Sequence, residues 1–263
     1  MTNALDRDLR YALSPVELFT DAVGVPDKFQ ADILNGLLDE NALSPSCAAP
    51  RRSLLLASRQ SGKSEVCACA ALWTARYLPG SLTLLLSHSL RGSAELFRKV
   101  ANAYHKTGGE DGVLQESTLR LELRNGSRCC ALPATQGTIR GYSGVDLVLL
   151  DECAQIEDSM IHAILPSQAI RPNSRLYALS TPHGRRGWFF NEWDHGEGYA
   201  RYEVAAKDVS RISAEFLAQQ LQTLGAYVFA QEYQNVWAEN EMTLISDDLV
   251  KAAMAPTGEQ PWW

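Results

Sequence analysis

The sequence predicts an α/β fold, with a mainly parallel central sheet covered by helices on both faces. Three observations lead there. Four short runs, 53–57, 81–87, 146–150 and 175–180, are apolar along nearly their whole length, as in strands buried on both faces. Stretches with helical spacing or high alanine content alternate with them. The first run leads straight into Ser58-Arg59-Gln60-Ser61-Gly62-Lys63-Ser64 and then a helix, the strand–loop–helix order that a phosphate-binding loop requires.

Composition sets the outer limits. At 263 residues with 46% hydrophobic and 21% charged residues, the chain is an ordinary globular one, which excludes a disordered chain, a collagen and a small disulfide scaffold. Its net charge of −7 excludes a protein that simply coats nucleic acid, so DNA contact would need a local basic patch or several subunits. The six cysteines form no CxxC and lie apart from the five histidines, so buried reduced thiols in a cytosolic protein are expected. The charged start (Asp6, Arg7, Asp8, Arg10) is unlike a signal peptide, and no apolar run approaches the ~18 residues of a membrane span.

The elements follow in order. Residues 14–40 read as helical, with Pro15 at a start and a second helix over 28–38 carrying Phe29, Ile33, Leu34, Leu37 and Leu38 near one face. Residues 41–51 read as a loop. The strand 53–57 and the alanine-rich helix 65–77 flank the phosphate loop, and Pro79-Gly80 ends the helix. A strand at 81–87 and a helix over 94–105 come next. Two short strands, 119–123 and 128–132, flank Asn125-Gly126, a strong hairpin signal. Then come a strand at 146–150, a helix between 158 and 170, and a strand at 175–180. Residues 199–205 suggest a strand, 214–223 and 226–236 a helical pair, and 255–263 a tail or linker.

The phosphate loop departs from GxxxxGK[ST] at one place: Ala57 stands where the first glycine belongs. The chemistry survives. Backbone N–H groups at a helix N-terminus point at an anion, and Gly62 permits close approach. Lys63 can reach β and γ phosphates, and the Ser64 hydroxyl can hold Mg²⁺. Arg59 and Gln60 place additional donors in the loop; the plain alternative for Arg59 is a solvated loop arginine.

The strand 145–150 ends in Asp151-Glu152, 87 residues beyond Ser64. Asp151 suits Mg²⁺, and Glu152 suits the general base that polarises an attacking water. A kinase has less need of the second carboxylate, so the pair favours hydrolysis over transfer. Upstream, Arg140 lies in the glycine-flanked segment Thr138-Ile139-Arg140-Gly141, fit either to act as a finger on phosphate in its own or a neighbouring subunit, or to pair structurally with an acid. Ser180 and Thr181 end the strand 175–180, where α/β sheets bind ligands, and His183 beyond them reads as a loop residue.

Together these segments resemble the ATPase half of phage terminase large subunits, the DNA-packaging motors of tailed bacteriophages. The resemblance covers roughly residues 15–250 and rests on SRQSGKS, TIRGYSG, LVLLDE, LSTPHG followed by Trp188-Phe189-Phe190, and Asp27-Lys28-Phe29-Gln30. It implies a three-layer P-loop NTPase of the additional-strand type with a small helical lid. The implied division is 1–52 as an N-terminal lid segment, 53–210 as the ATPase core, 211–250 as a C-terminal lid segment and 251–263 as a tail. It implies ATP and Mg²⁺ as ligands, Gln30 as an adenine contact, and Arg59 or Arg140 as the transition-state arginine. It also implies double-stranded DNA, a portal protein and a terminase small subunit as partners. The chain would be a monomer in isolation and a ring, with five subunits expected, when assembled in the host cytoplasm at the procapsid portal. A family nuclease domain needs its own carboxylate cluster. After residue 245 this chain has Asp247, Asp248 and Glu259, so no DNA cleavage is expected. Other readings of the same residues are a helicase-like or repair ATPase and a nucleotide-gated binding module with weak hydrolysis. Candidates for DNA contact are Arg51, Arg52, Arg91, Arg98, Lys99, Arg124, Arg128, Arg185 and Arg186.

Overall fold

The computed structural model describes residues 4–38, 51–108, 112–133 and 141–237. The N-terminal part supplies α1 (Ala4–Leu13), α2 (Pro15–Ala22) and α3 (Lys28–Asn35). Then come β1 (Arg52–Ala57), α4 (Lys63–Tyr77), β2 (Leu82–Ser87) and α5 (Leu90–Thr107). The short strands β3 (Val113–Glu116), β4 (Arg120–Leu123) and β5 (Arg128–Pro133) follow. The remainder is β6 (Leu147–Asp151), α6 (Asp158–Ile164), β7 (Arg175–Ser180), α7 (Gly187–Asp194), β8 (Tyr199–Val204) and α8 (Ala214–Gln234).

The strands form one 8-stranded sheet in the order β3-β4-β5-β2-β6-β7-β1-β8. From β5 to β8 every neighbouring pair is parallel, whereas β3 and β4 are antiparallel. β7 runs between β1 and β6, so the expected additional strand separates the strand that enters the phosphate loop from the strand that ends in the acidic pair. The carboxyl ends of these three strands therefore open on one edge, where α/β sheets hold ligands.

Both faces of the sheet are covered. Leu55, Ala57, Leu85, Leu149 and Leu179 join a core shared with α1 to α5. Their neighbours Leu54, Leu56, Leu84, Leu86 and Leu150 join a second core with Ile161, Ile164, Trp188 and Phe189. Strand side chains alternate between faces, so two covering layers explain why these strands are apolar throughout. α4 is buried nearly all round, with Cys67, Ala68, Cys69, Ala70 and Ala71 in close contact with their surroundings. A larger side chain there would cost about 1–3 kcal/mol by overpacking. The described cysteines, Cys67, Cys69, Cys129, Cys130 and Cys153, are all free and buried, in line with the expectation for them. No helix among the described residues is long and apolar enough to cross a membrane.

Several elements differ from the sequence reading. α5 begins at Leu90, a turn before residue 94, because Ser89 Oγ accepts from Gly92 N at 3.1 Å. Such a cap contributes about 1 kcal/mol. α7 was not expected; its start is held by a distant group, Asp158 Oδ1, which accepts from Trp188 N at 2.7 Å. The helical pair expected at 214–236 is present within α8, its two helices meeting at Gly225, whose φ of 75° is open to glycine and strained for other residues. The loop at 41–50 and the tail at 255–263 lie outside the described residues.

Candidate functional site

The phosphate loop turns from β1 into α4 through two left-handed residues, Gln60 (φ 60°) and Gly62 (φ 86°). Gly62 is favoured by its φ, and a Cβ there would lie 2.6 Å from Gln30 Nε2, so that amide would have to move. Inside the turn, Ser61 Oγ donates to Ser58 O at 2.8 Å, and Ser58 N donates to Val204 O on β8 at 3.0 Å. The loop is thus pinned on the sheet side by the backbone of an adjacent strand.

β6 brings the acidic pair up to this loop. Ser64 Oγ donates to Asp151 Oδ2 at 3.2 Å, and Lys63 Nζ lies 3.2 Å from Glu152 Oε1. Asp151 is buried, and desolvation, reinforced by the charge of Glu152, raises its pKa; Lys63 and the Ser64 hydrogen bond oppose the rise. Glu152 sits in the left-handed region (φ 51°, ψ 45°), a conformation that costs a non-glycine residue about 1–3 kcal/mol and is concentrated at functional sites. Its Oε2 is buried with no hydrogen-bond partner among the described residues. Ser180 Oγ accepts from Ala154 N at 3.2 Å, so β7 steadies the turn just after Glu152. Thr181 is buried beside it.

A cleft of about 450 Å³ opens beside these groups, lined on the chemical side by Gln60, Gly62, Lys63, Ser64 and Glu65. Its far wall includes Phe19, Val23, Gly24 and Val25 from the end of α2 and the loop after it. Gln30, the expected base contact, is buried and already engaged: its Oε1 accepts from Asp27 N at 2.9 Å and its Nε2 donates to Gly62 O at 3.2 Å. In this arrangement Gln30 ties the N-terminal helices to the phosphate loop.

Arg59 is not among the residues lining the cleft; it pairs with Glu232 of α8 at 2.9 Å, while its backbone N–H donates to Glu232 O at 2.9 Å. Asn235 Nδ2, just past α8, donates to Leu56 O at 3.3 Å, and Trp237 packs against Phe190 at 5.0 Å between rings. The C-terminal half of α8 is therefore fastened to both the phosphate loop and α7. Sequence reasoning missed Glu232 and Arg211, which lines the cleft and pairs with Asp27 at 2.8 Å. The one available signal for Arg211 was its place just ahead of the Ser213-capped helix. His183 is exposed on its loop. Arg140 lies outside the described residues. Of the basic candidates, Lys99 pairs with Glu65, Arg98 with Glu95, and Arg185 donates to Trp237 O.

Neither a protein-family model nor a curated protein sequence matches the chain. Solved structures do. The large terminase ATPase domain of Thermus phage P74-26 is similar at 21% identity and a TM-score of 0.69, over 86% of this chain and 99% of that one. The large terminase of HK97 bacteriophage is similar at 17% identity and a TM-score of 0.69, over 87% of this chain and 55% of that one. The large terminase of the thermophilic bacteriophage D6E, in complex with ATP-γ-S, is similar at 13% identity and a TM-score of 0.64, over 80% of this chain and 52% of that one. The chain thus spans nearly all of the P74-26 domain and about half the length of the HK97 and D6E proteins. Its fold is that of phage large terminase ATPase domains.

Proposed function

We propose that this chain hydrolyses ATP and serves as the motor domain that drives double-stranded DNA into a phage procapsid. The observation that carries the reading is the meeting of Lys63 and Ser64, at the start of α4, with Asp151 and Glu152, at the end of β6, although β7 separates β6 from the strand β1 that leads into the phosphate loop. Lys63 supplies a cation for the β and γ phosphates, and the turn into α4 supplies backbone donors. Glu152 Oε2 takes a proton from the water that attacks the γ phosphorus, while the bond to the bridging oxygen breaks and ADP leaves. Ser64 Oγ and Asp151, a hydroxyl and a buried carboxylate already in contact, suit Mg²⁺, which when bound offsets phosphate charge.

The D6E protein has been solved with ADP and with ATP-γ-S, which agrees with a nucleotide in this cleft. The remaining roles belong to the same proposal. Arg59 or Arg140 stabilises the transition state, and Ser180 and Thr181 relay the loss of the γ phosphate. The segments 1–52 and 211–250 act as lid, with a portal protein, a small terminase subunit and a ring of like chains as partners. Phosphate release, measured with and without double-stranded DNA, tests the reading. Release that double-stranded DNA stimulates and Lys63→Ala abolishes supports it; release that survives Lys63→Ala overturns it.

A further inference from the structure

Three segments far apart in sequence meet above Gly62. Arg211 Nη2 donates to Ser61 O at 3.0 Å and Nη1 lies 2.8 Å from Asp27 Oδ2. Ser210 Oγ donates to Asp27 Oδ1 at 3.2 Å. A Cβ on Gly62 would lie 3.0 Å from Arg211 Nη2, so the guanidinium sits directly over the phosphate loop. Gln30 shares that position but has both ends of its amide engaged. An arginine has five N–H donors on a planar fork and also stacks on flat rings. Across the same cleft stand Val23 and Val25, the latter 84% exposed, an apolar wall of the kind a flat base can lie against.

We infer that Arg211 contacts the nucleoside half of the bound nucleotide, in the same subunit, holding the base against the Val23–Val25 wall; this rests on the proposed ATP site. Asp27 and Ser61 O fix the fork in place, so the contact needs little ordering on binding. The residue takes the part that sequence reasoning gave to Gln30. It also makes the segment ahead of α8 sense occupancy of the cleft.

The test compares binding of MgATP, MgADP and inorganic tripolyphosphate, which lacks a nucleoside, by titration calorimetry and by competition. Arg211→Ala is expected to weaken ATP and ADP about tenfold, the scale of a stacked or charge-assisted contact. Tripolyphosphate affinity should fall by much less than ATP affinity, and the loss for ATP should appear mainly in KM rather than in kcat. Arg211→Lys should recover little, because an ammonium has no planar face. Arg211→Gln keeps a donor for Ser61 O and serves if the alanine variant does not fold. Unchanged ATP affinity in folded Arg211 variants overturns the inference, and so does an equal loss for tripolyphosphate, which would place the contact on phosphate. Lys63→Ala separates the two levels: it should weaken ATP and tripolyphosphate alike. If Lys63→Ala binds ATP normally, the phosphate-loop reading fails and the inference falls with it.

Discussion

Lys63 Nζ lies 3.2 Å from Glu152 Oε1, so the cation of the phosphate loop and the carboxylate beyond β6 neutralise each other across the site. A lysine that serves phosphates must turn from this partner when they arrive. On the proposed reading, that exchange would leave Glu152 free to act on water and would link substrate binding to release of the base. Glu152→Gln should accordingly keep ATP affinity and lower turnover by about 10²–10⁴, the range of general-base catalysis. Single-turnover phosphate release with parallel binding titrations checks this. Normal turnover would move the base elsewhere.

Asp151 predicts a pH-dependent stability difference. Burial raises its pKa, so the folded protein holds this proton at a pH where the unfolded chain has lost it. The ionised group therefore opposes folding at neutral pH, and the penalty fades as pH falls through the folded pKa toward the unfolded value. Asp151→Asn should stabilise the nucleotide-free protein at pH 7 while abolishing turnover, the usual trade at functional sites. Urea denaturation at pH 7 and in the acid range should show the gap closing as pH falls. A destabilised variant at pH 7 would contradict this.

The Arg59–Glu232 pair predicts competition. Glu232 holds the guanidinium that a phosphate would otherwise attract. The arginine is 65% exposed, so the pair contributes under about 1 kcal/mol to stability. Glu232→Gln should leave the melting temperature nearly unchanged and tighten ATP binding by up to about fivefold, the same energy seen as affinity. Unchanged affinity and unchanged kcat together would detach Arg59 from the nucleotide.

Arg140 is tested by complementation. If it serves a neighbour's site, a mixture of Arg140→Ala and Glu152→Ala subunits regains activity, because some interfaces then join an intact arginine to an intact base. Titrating one variant into the other and measuring phosphate release decides it. Two inactive proteins that stay inactive at every ratio would assign the arginine to its own subunit.

The buried thiols predict slow chemistry. Burial pushes Cys129 up to about 12 and also raises Cys67, Cys69, Cys130 and Cys153. At pH 8 the thiolate fraction of Cys129 is then roughly a thousandfold below that of a free cysteine. Alkylation mapped by peptide mass spectrometry should spare these five in the native protein and label them in urea. Native labelling would show that the core opens.

The strands were legible because burial on both faces leaves a continuous apolar run, as at Leu147–Asp151. The phosphate loop was legible because its chemistry is local, from Ser58 to Ser64. What escaped depends on distance. β3 is an edge strand with mostly exposed residues, so no apolar pattern marks it. The cap of α7 comes from Asp158, 30 residues away. Glu232 and Arg211 reach the site through the tertiary fold, and the amide of Gln30 is engaged by groups from two segments. The left-handed turn at Glu152 has no glycine to announce it.

Gly225 sets the mechanical character of α8. Its two arms lie side by side, with Phe216 and Gln220 of the first against Tyr233 of the second, and the second, about 13 Å at helical rise, pairs with the phosphate loop through Glu232. A displacement near Ala214 therefore reaches Glu232 and Arg59 through packed side chains as well as through the joint at Gly225. The hairpin is held by this side-to-side packing and by Trp237 against Phe190, and replacing Gly225 with alanine would strain the turn between the arms.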